Sequence, residues 1–116
     1  MEFHGDADPV IHYDGKTTPD GQTYSLLEFF DIWGKRNECD PEPQRTEHHE
    51  GSFIRYGWNT KDKSEEVLVH YRIRGFGHGW PTPRPLNNDD QRHGPTYLDA
   101  TPIVLEFFRK FTVPLE

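Results

Sequence analysis

Only one run of this chain reads as a full core strand, and that scarcity of strands constrains the fold more than any other feature. "EEVLVHYRIRG" (Glu65 to Gly75) places Val67, Val69, Tyr71 and Ile73 on one face, with the β-branched content of a buried strand. "SFIRYGW" (Ser52 to Trp58) reads as a short strand, and Met1 to His4 as the last residues of another. Two runs are helical. "TYSLLEFFDIWGKRN" (Thr23 to Asn37) spaces Leu26, Phe29, Phe30 and Trp33 along one face; Asp20, Thr23 and Ser25 are candidate caps, and Lys35 and Arg36 suit the C-terminal dipole. "LDATPIVLEFFRKF" (Leu98 to Phe111) gathers Ala100, Ile103, Val104, Phe107, Phe108 and Phe111 into a stripe, with Asp99 as cap and Pro102 in the first turn.

Strand, helix, strand, helix is an α/β order, and parallel strands require cover on both faces. Two or three strands with two main helices are too few for a full sheet, so the expectation is one incomplete α/β unit over residues 1–116. Leu, Ile, Val and Phe total 25 of 116 residues, barely above the roughly one-fifth below which chains tend to disorder. "NECDPEPQRTEHHEG" and "WPTPRPLNNDDQRHGP" read as loops. A helix stripe with little sheet to cover leads us to expect exposed apolar surface and self-association.

Composition also limits the partners. A net charge of -7 argues against nucleic acid, which demands clustered Lys and Arg. No apolar run reaches the roughly 20 residues of a membrane span, and no signal peptide is visible. Cys39 stands alone and cannot form an internal disulfide.

Two loops directly follow expected strands: Gly5-Asp6-Ala7-Asp8-Pro9 and Gly75-Phe76-Gly77-His78-Gly79-Trp80-Pro81. Sites in parallel sheets collect beyond the carboxyl ends of strands. An acid on one such loop and a histidine on the next can form a base oriented by a carboxylate, which selects the imidazole tautomer and stabilises the imidazolium. Taken singly, a histidine in a Gly-rich loop and an aspartate before proline are ordinary turn residues.

The motifs are more specific together. "FHGDADPVIHYDG", "GFGHGWP" and "DATPIVLEFFRKF", with "FFDIWGKRNECD" between them, resemble the C-terminal third of α/β-hydrolases of the polyhydroxybutyrate depolymerase, acetylxylan esterase and feruloyl esterase group, fungal feruloyl esterases most of all. The resemblance implies an extracellular serine carboxylic ester hydrolase of xylan degradation, acting without cofactor on polysaccharide esters. It implies Asp8 as triad acid, His78 as triad base and Trp80 as a substrate-side wall beside Pro81, with Asp6 competing for the acid role. The family's G-x-S-x-G elbow is missing: Ser25, Ser52 and Ser64 are the only serines and none stands in such a motif. The chain is therefore expected to be a C-terminal portion that begins where the acid-bearing strand ends, without its nucleophile and inactive alone. The family's partner for Cys39 is also absent.

Two rival readings come from other classes. His4, Asp6 and Asp8 form H-x-D-x-D and, on an extended chain, would face one side as metal donors, with His48, His49 and His93 as further candidates. Alternatively, exposed aromatics such as Trp58 and Trp80 would make a non-catalytic carbohydrate- or partner-binding fragment.

Overall fold

The computed structural model describes residues 1–83 and 96–111. Its main sheet has four strands in the order β1-β6-β5-β4: β1 (Glu2–Gly5), β4 (Gln44–His48), β5 (Phe53–Asn59) and β6 (Glu66–Ile73). β1 runs parallel to β6, while β4, β5 and β6 are antiparallel neighbours. A separate hairpin joins β2 (Lys16–Thr18) to β3 (Gly21–Thr23), and two helices complete the fold, α1 (Leu26–Arg36) and α2 (Ala100–Arg109). The molecule is a mixed α/β domain with a mixed sheet.

The helices cover opposite faces, as the two-residue period of the strands dictates. Val69, Tyr71 and Ile73 of β6 face α2, where they pack with Phe53, Phe76, Leu98 and Ala100 and with the half-buried Phe3, Ile103 and Phe107. On the other face Leu26 and Phe30 of α1 pack with Tyr13, Cys39 and Trp58. Phe30 stacks on Trp58 at 5.2 Å and on His70 at 4.8 Å.

Six strands among the described residues, rather than two or three, correct the expected count. β4 lies inside a stretch read as loop; every residue of it is exposed, so it carries no alternation, and it exists only by pairing with β5. β2 and β3 are exposed throughout and are marked only by the turn residues Pro19 and Asp20 between them and by Gly21 at the start of β3. Val67 was expected beside Val69 but packs on the α1 face, because the pairing register shifts between Trp58 and Asn59 and leaves it opposite no residue. The segment 84–95, read as loop and containing His93, lies outside the described residues.

Ser25 caps α1: its Oγ accepts from the Glu28 N–H at 3.1 Å and donates back to Glu28 Oε1 at 3.1 Å. Asp99 occupies the cap position of α2 without a side-chain capping bond, and the Ala100 N–H donates to Pro81 O instead. No helix among the described residues is long and apolar enough to cross a membrane.

The outer face of α2 leaves Leu105 at 54 % and Phe108 at 63 % exposure. Leu105→Glu and Phe108→Glu are expected to change unfolding free energy by no more than about 0.5 kcal/mol each. They should also lower self-association and the binding of dyes specific for apolar surface. A collapse of the thermal midpoint in either variant would place that side chain in the core.

Candidate functional site

The parallel pair β1 and β6 puts two strand ends side by side, and the loops beyond them are stitched together. Past β1, the Asp6 N–H donates to Ile73 O at 3.0 Å and the Ala7 N–H to Phe76 O at 3.1 Å. The Asp6 carboxylate accepts from Gly75 N–H at 2.7 Å and from Arg72 Nε at 3.1 Å. Asp6 is thereby committed to the turn after β6 and does not reach His78. Of the glycines around His78, Gly75 adopts the left-handed conformation (φ 70°) that a side chain disfavours. Gly5 is needed for another reason: a Cβ there would lie 2.0 Å from Phe76 O.

At Asp8 the chain turns. Its carboxylate is buried; Oδ1 accepts from the N–H groups of Val10 at 2.8 Å and Ile11 at 2.9 Å, and Oδ2 accepts from His78 Nδ1 at 2.9 Å. Burial pushes this carboxyl upward, but the hydrogen bonds from His78 and the two backbone N–H groups outweigh it and hold the carboxyl below its usual range. An ionised Asp8 requires the proton on Nδ1, so Nε2 of the neutral ring carries the lone pair. The His78 side chain is 47 % exposed, and no described residue hydrogen-bonds to Nε2. The pair is an oriented, half-exposed imidazole whose second nitrogen is fit to take a proton from a hydroxyl or from water.

Trp80, two residues on, does not join this pair. Its indole N–H donates to Thr101 Oγ1 on α2 at 3.1 Å and its ring lies 6.4 Å from that of Phe3. It walls an apolar cleft of about 340 Å³ between the β1 edge and α2, together with Met1, Phe3, Val104, Phe107 and Phe108. Trp58 is buried in the α1-face core.

The three donors of H-x-D-x-D do not converge, because Asp6 turns to Arg72 while the chain bends back at Asp8. Among the described residues no three His, Cys, Asp or Glu side chains cluster as metal ligands. His48 stacks on Phe53 and His49 on Tyr97.

No serine hydrogen-bonds to His78. Ser25 caps α1, Ser52 Oγ donates to His49 O at 2.8 Å, and Ser64 Oγ donates to Asp62 at 2.7 Å. Cys39 lies buried beneath α1, where burial pushes its thiol up and away from the reactive thiolate.

Sequence reasoning missed the polar groups packed behind the pair. His4, expected only as a metal donor, has Nε2 at 2.7 Å from Ile11 O and 3.3 Å from Asp8 Oδ2, with Nδ1 at 3.3 Å from Glu2 Oε1. Behind it lies His70, fully buried, sharing a 2.8 Å hydrogen bond between Nε2 and the Tyr13 hydroxyl. His70 Nδ1 and Glu2 Oε2 are buried without a hydrogen-bond partner among the described residues, 3.9 Å from one another. The signal was in the alternation: Glu2 and His4 share one face of β1, and His70 pairs in register with Glu2.

No protein-family model matches the chain, and no curated protein or solved structure matches it.

Burial pushes His70 down to about 4. Below the ordinary histidine value the unfolded chain binds a proton that folded His70 refuses until about pH 4. Stability therefore falls as pH drops through that window, by about 3 kcal/mol from this group. His4 acts oppositely: its hydrogen bond to Glu2 raises it, against burial and helped by Ile11 O and the charges of Glu2 and Asp8, so it adds stability at low pH that is lost as pH rises through its folded value. Urea unfolding across this range should show a shallower acid loss in His70→Phe than in the parent, and equal slopes would refute the assignment. Gly5→Ala is expected to cost roughly 1–3 kcal/mol through overpacking and to separate Asp8 from His78. An unchanged thermal midpoint would contradict it.

Proposed function

We propose that Asp8 and His78 are the acid and base of a serine carboxylic ester hydrolase centre, of the feruloyl esterase type, acting on esters of plant cell-wall polysaccharides outside the cell. One observation carries the reading: a buried, ionised Asp8 orients His78 through Nδ1 from the carboxyl ends of neighbouring parallel strands, with Nε2 bonded to no described residue. The motif resemblance over "FHGDADP", "GFGHGWP" and "DATPIVLEFF" agrees with that geometry and supplies the substrate class. The chain is read as the C-terminal portion of an α/β-hydrolase, with the nucleophile on a polypeptide segment other than these 116 residues.

In the assembled centre, Nε2 of His78 accepts the proton of a serine hydroxyl as its oxygen attacks the ester carbonyl. The same proton passes to the departing alcohol, leaving an acyl-serine. His78 then takes a proton from water, the hydroxide attacks the acyl carbon, and the proton returns to the serine as the acid leaves. Asp8 stabilises the imidazolium at both stages. No cofactor takes part. Oxyanion donors would come from the same segment as the serine.

A non-catalytic reading has one observation in its favour, the exposed ring of Trp80 in an apolar cleft, which suits a sugar or a partner. Ester turnover separates the two. The chain alone is expected to hydrolyse methyl ferulate no faster than its His78→Ala variant, and a fluorophosphonate should label none of its serines. Joined to a segment bearing a G-x-S-x-G elbow, it should turn over, and Asp8→Asn should lower the rate by roughly 10⁴. Turnover that survives both Asp8→Asn and His78→Ala in that assembly would overturn the reading.

A further inference from the structure

Asp8 Oδ2 has two imidazole neighbours. His78 Nδ1 lies 2.9 Å away and His4 Nε2 lies 3.3 Å away. His4 is locked by its surroundings more firmly than a metal donor or a surface residue would be. Its side chain is 12 % exposed, and Nε2 must carry a proton because it faces two acceptors, Ile11 O at 2.7 Å and the Asp8 carboxylate. The neutral ring is therefore the Nε2–H tautomer. The proton that comes and goes is on Nδ1, against Glu2 Oε1 at 3.3 Å.

We infer that His4 is a positioning residue of this centre: its Nε2–H holds the Asp8 turn closed, and its charge state, set at Nδ1 against Glu2, controls how strongly Asp8 binds His78. The hydrogen bond to Ile11 O persists in both charge states, so the Asp8–Ile11 turn stays shut throughout. Charge alone changes. Protonated at Nδ1, His4 places a cation beside the oxygen that His78 uses, and the two rings compete for it. When the Nδ1 proton leaves to water, the carboxylate oxygen is left to His78 alone.

The other groups facing His4 do not replace it in this role. From its own strand it meets Glu2, and from the loop Asp8; the Tyr13 ring packs edge-on at 6.0 Å. From β6 it faces His70, which burial keeps neutral down to about pH 4, and Arg72, whose guanidinium lies 4.4 Å over the Tyr13 ring and is bound to Asp6. The hydrogen bond to Glu2, the largest cause, raises His4 above the ordinary histidine value, so the charge at Nδ1 is set by Glu2.

The catalytic meaning rests on the ester hydrolase reading, but the coupling can be measured on the chain alone by histidine ring nitrogen NMR against pH. In the parent, the His78 nitrogens should show a step that coincides with the titration of the His4 ring. Glu2→Gln should move that step to lower pH. His4→Gln, whose amide N–H can still reach Ile11 O, should abolish it while the amide spectrum stays dispersed. If His4→Gln fails to fold, Glu2→Gln carries the test by itself. A His78 response that ignores the His4 titration, or that is the same in parent and Glu2→Gln, overturns the inference and leaves the Asp8–His78 pair standing. A neutral His78 with its proton on Nε2 would overturn both.

Discussion

Everything at the candidate site depends on the parallel pairing of β1 with β6. Four residues of β1 lie in register with His70 to Ile73, so two strand ends 68 residues apart in sequence finish at one edge of the sheet. Hydrogen bonds from Asp6 and Ala7 to the carbonyls of Ile73 and Phe76 extend the register beyond the strands. The approach is close enough that the β1 end must be glycine, since a methyl group on Gly5 would overlap the Phe76 carbonyl. Only with that contact intact can a carboxylate on one loop meet an imidazole on the other without a spanning side chain.

The two faces of the sheet solve different problems. The α2 face is apolar, built from Val69, Tyr71, Ile73, Phe53 and Phe76. The α1 face carries polar groups within an aromatic layer: His70 is sandwiched near Phe30, Tyr13 and Tyr56, with Glu2 and His4 beside it. Burying unsatisfied donors and acceptors costs roughly 1–3 kcal/mol each, and His70 Nδ1 and Glu2 Oε2 have no hydrogen-bond partner among the described residues. A layer built only for stability would place apolar side chains here. The polar groups instead form a line from His70 through Glu2 and His4 to Asp8, the carboxylate that holds His78.

Elements with strong apolar periodicity were legible in the sequence. Both helices, β6 and β5 announce themselves by spacing, and the Asp8 and His78 loops by glycine, proline and strand-end placement. What escaped was structure made by pairing rather than burial. β4 has five exposed residues and no alternation, so nothing in its own composition marks it as a strand. The bulge that turns Val67 to the other face is a property of two strands together, invisible in either. His4 was legible as a chemistry-bearing residue but not in its role, because its partners Ile11 and Asp8 reach it only through a turn.

That turn also explains why two aspartates in one loop do different work. His4 and Asp6 follow the alternation of an extended strand and face the side where Arg72 lies. Continued alternation would have put Asp8 on that side too, giving the convergent donors of a metal site. Instead the Asp8 N–H donates back to Gly5 O at 3.3 Å, and the chain folds over its own strand end. Asp8 is carried inward, where two backbone N–H groups satisfy one oxygen and leave the other for the histidines. Asp6 remains at the rim, paired to an arginine. An arginine already neutralises Asp6, so it could not orient an imidazole as strongly, whereas Asp8 meets only neutral donors and titratable rings. Which of the two aspartates meets the His78 ring follows from where the backbone turns.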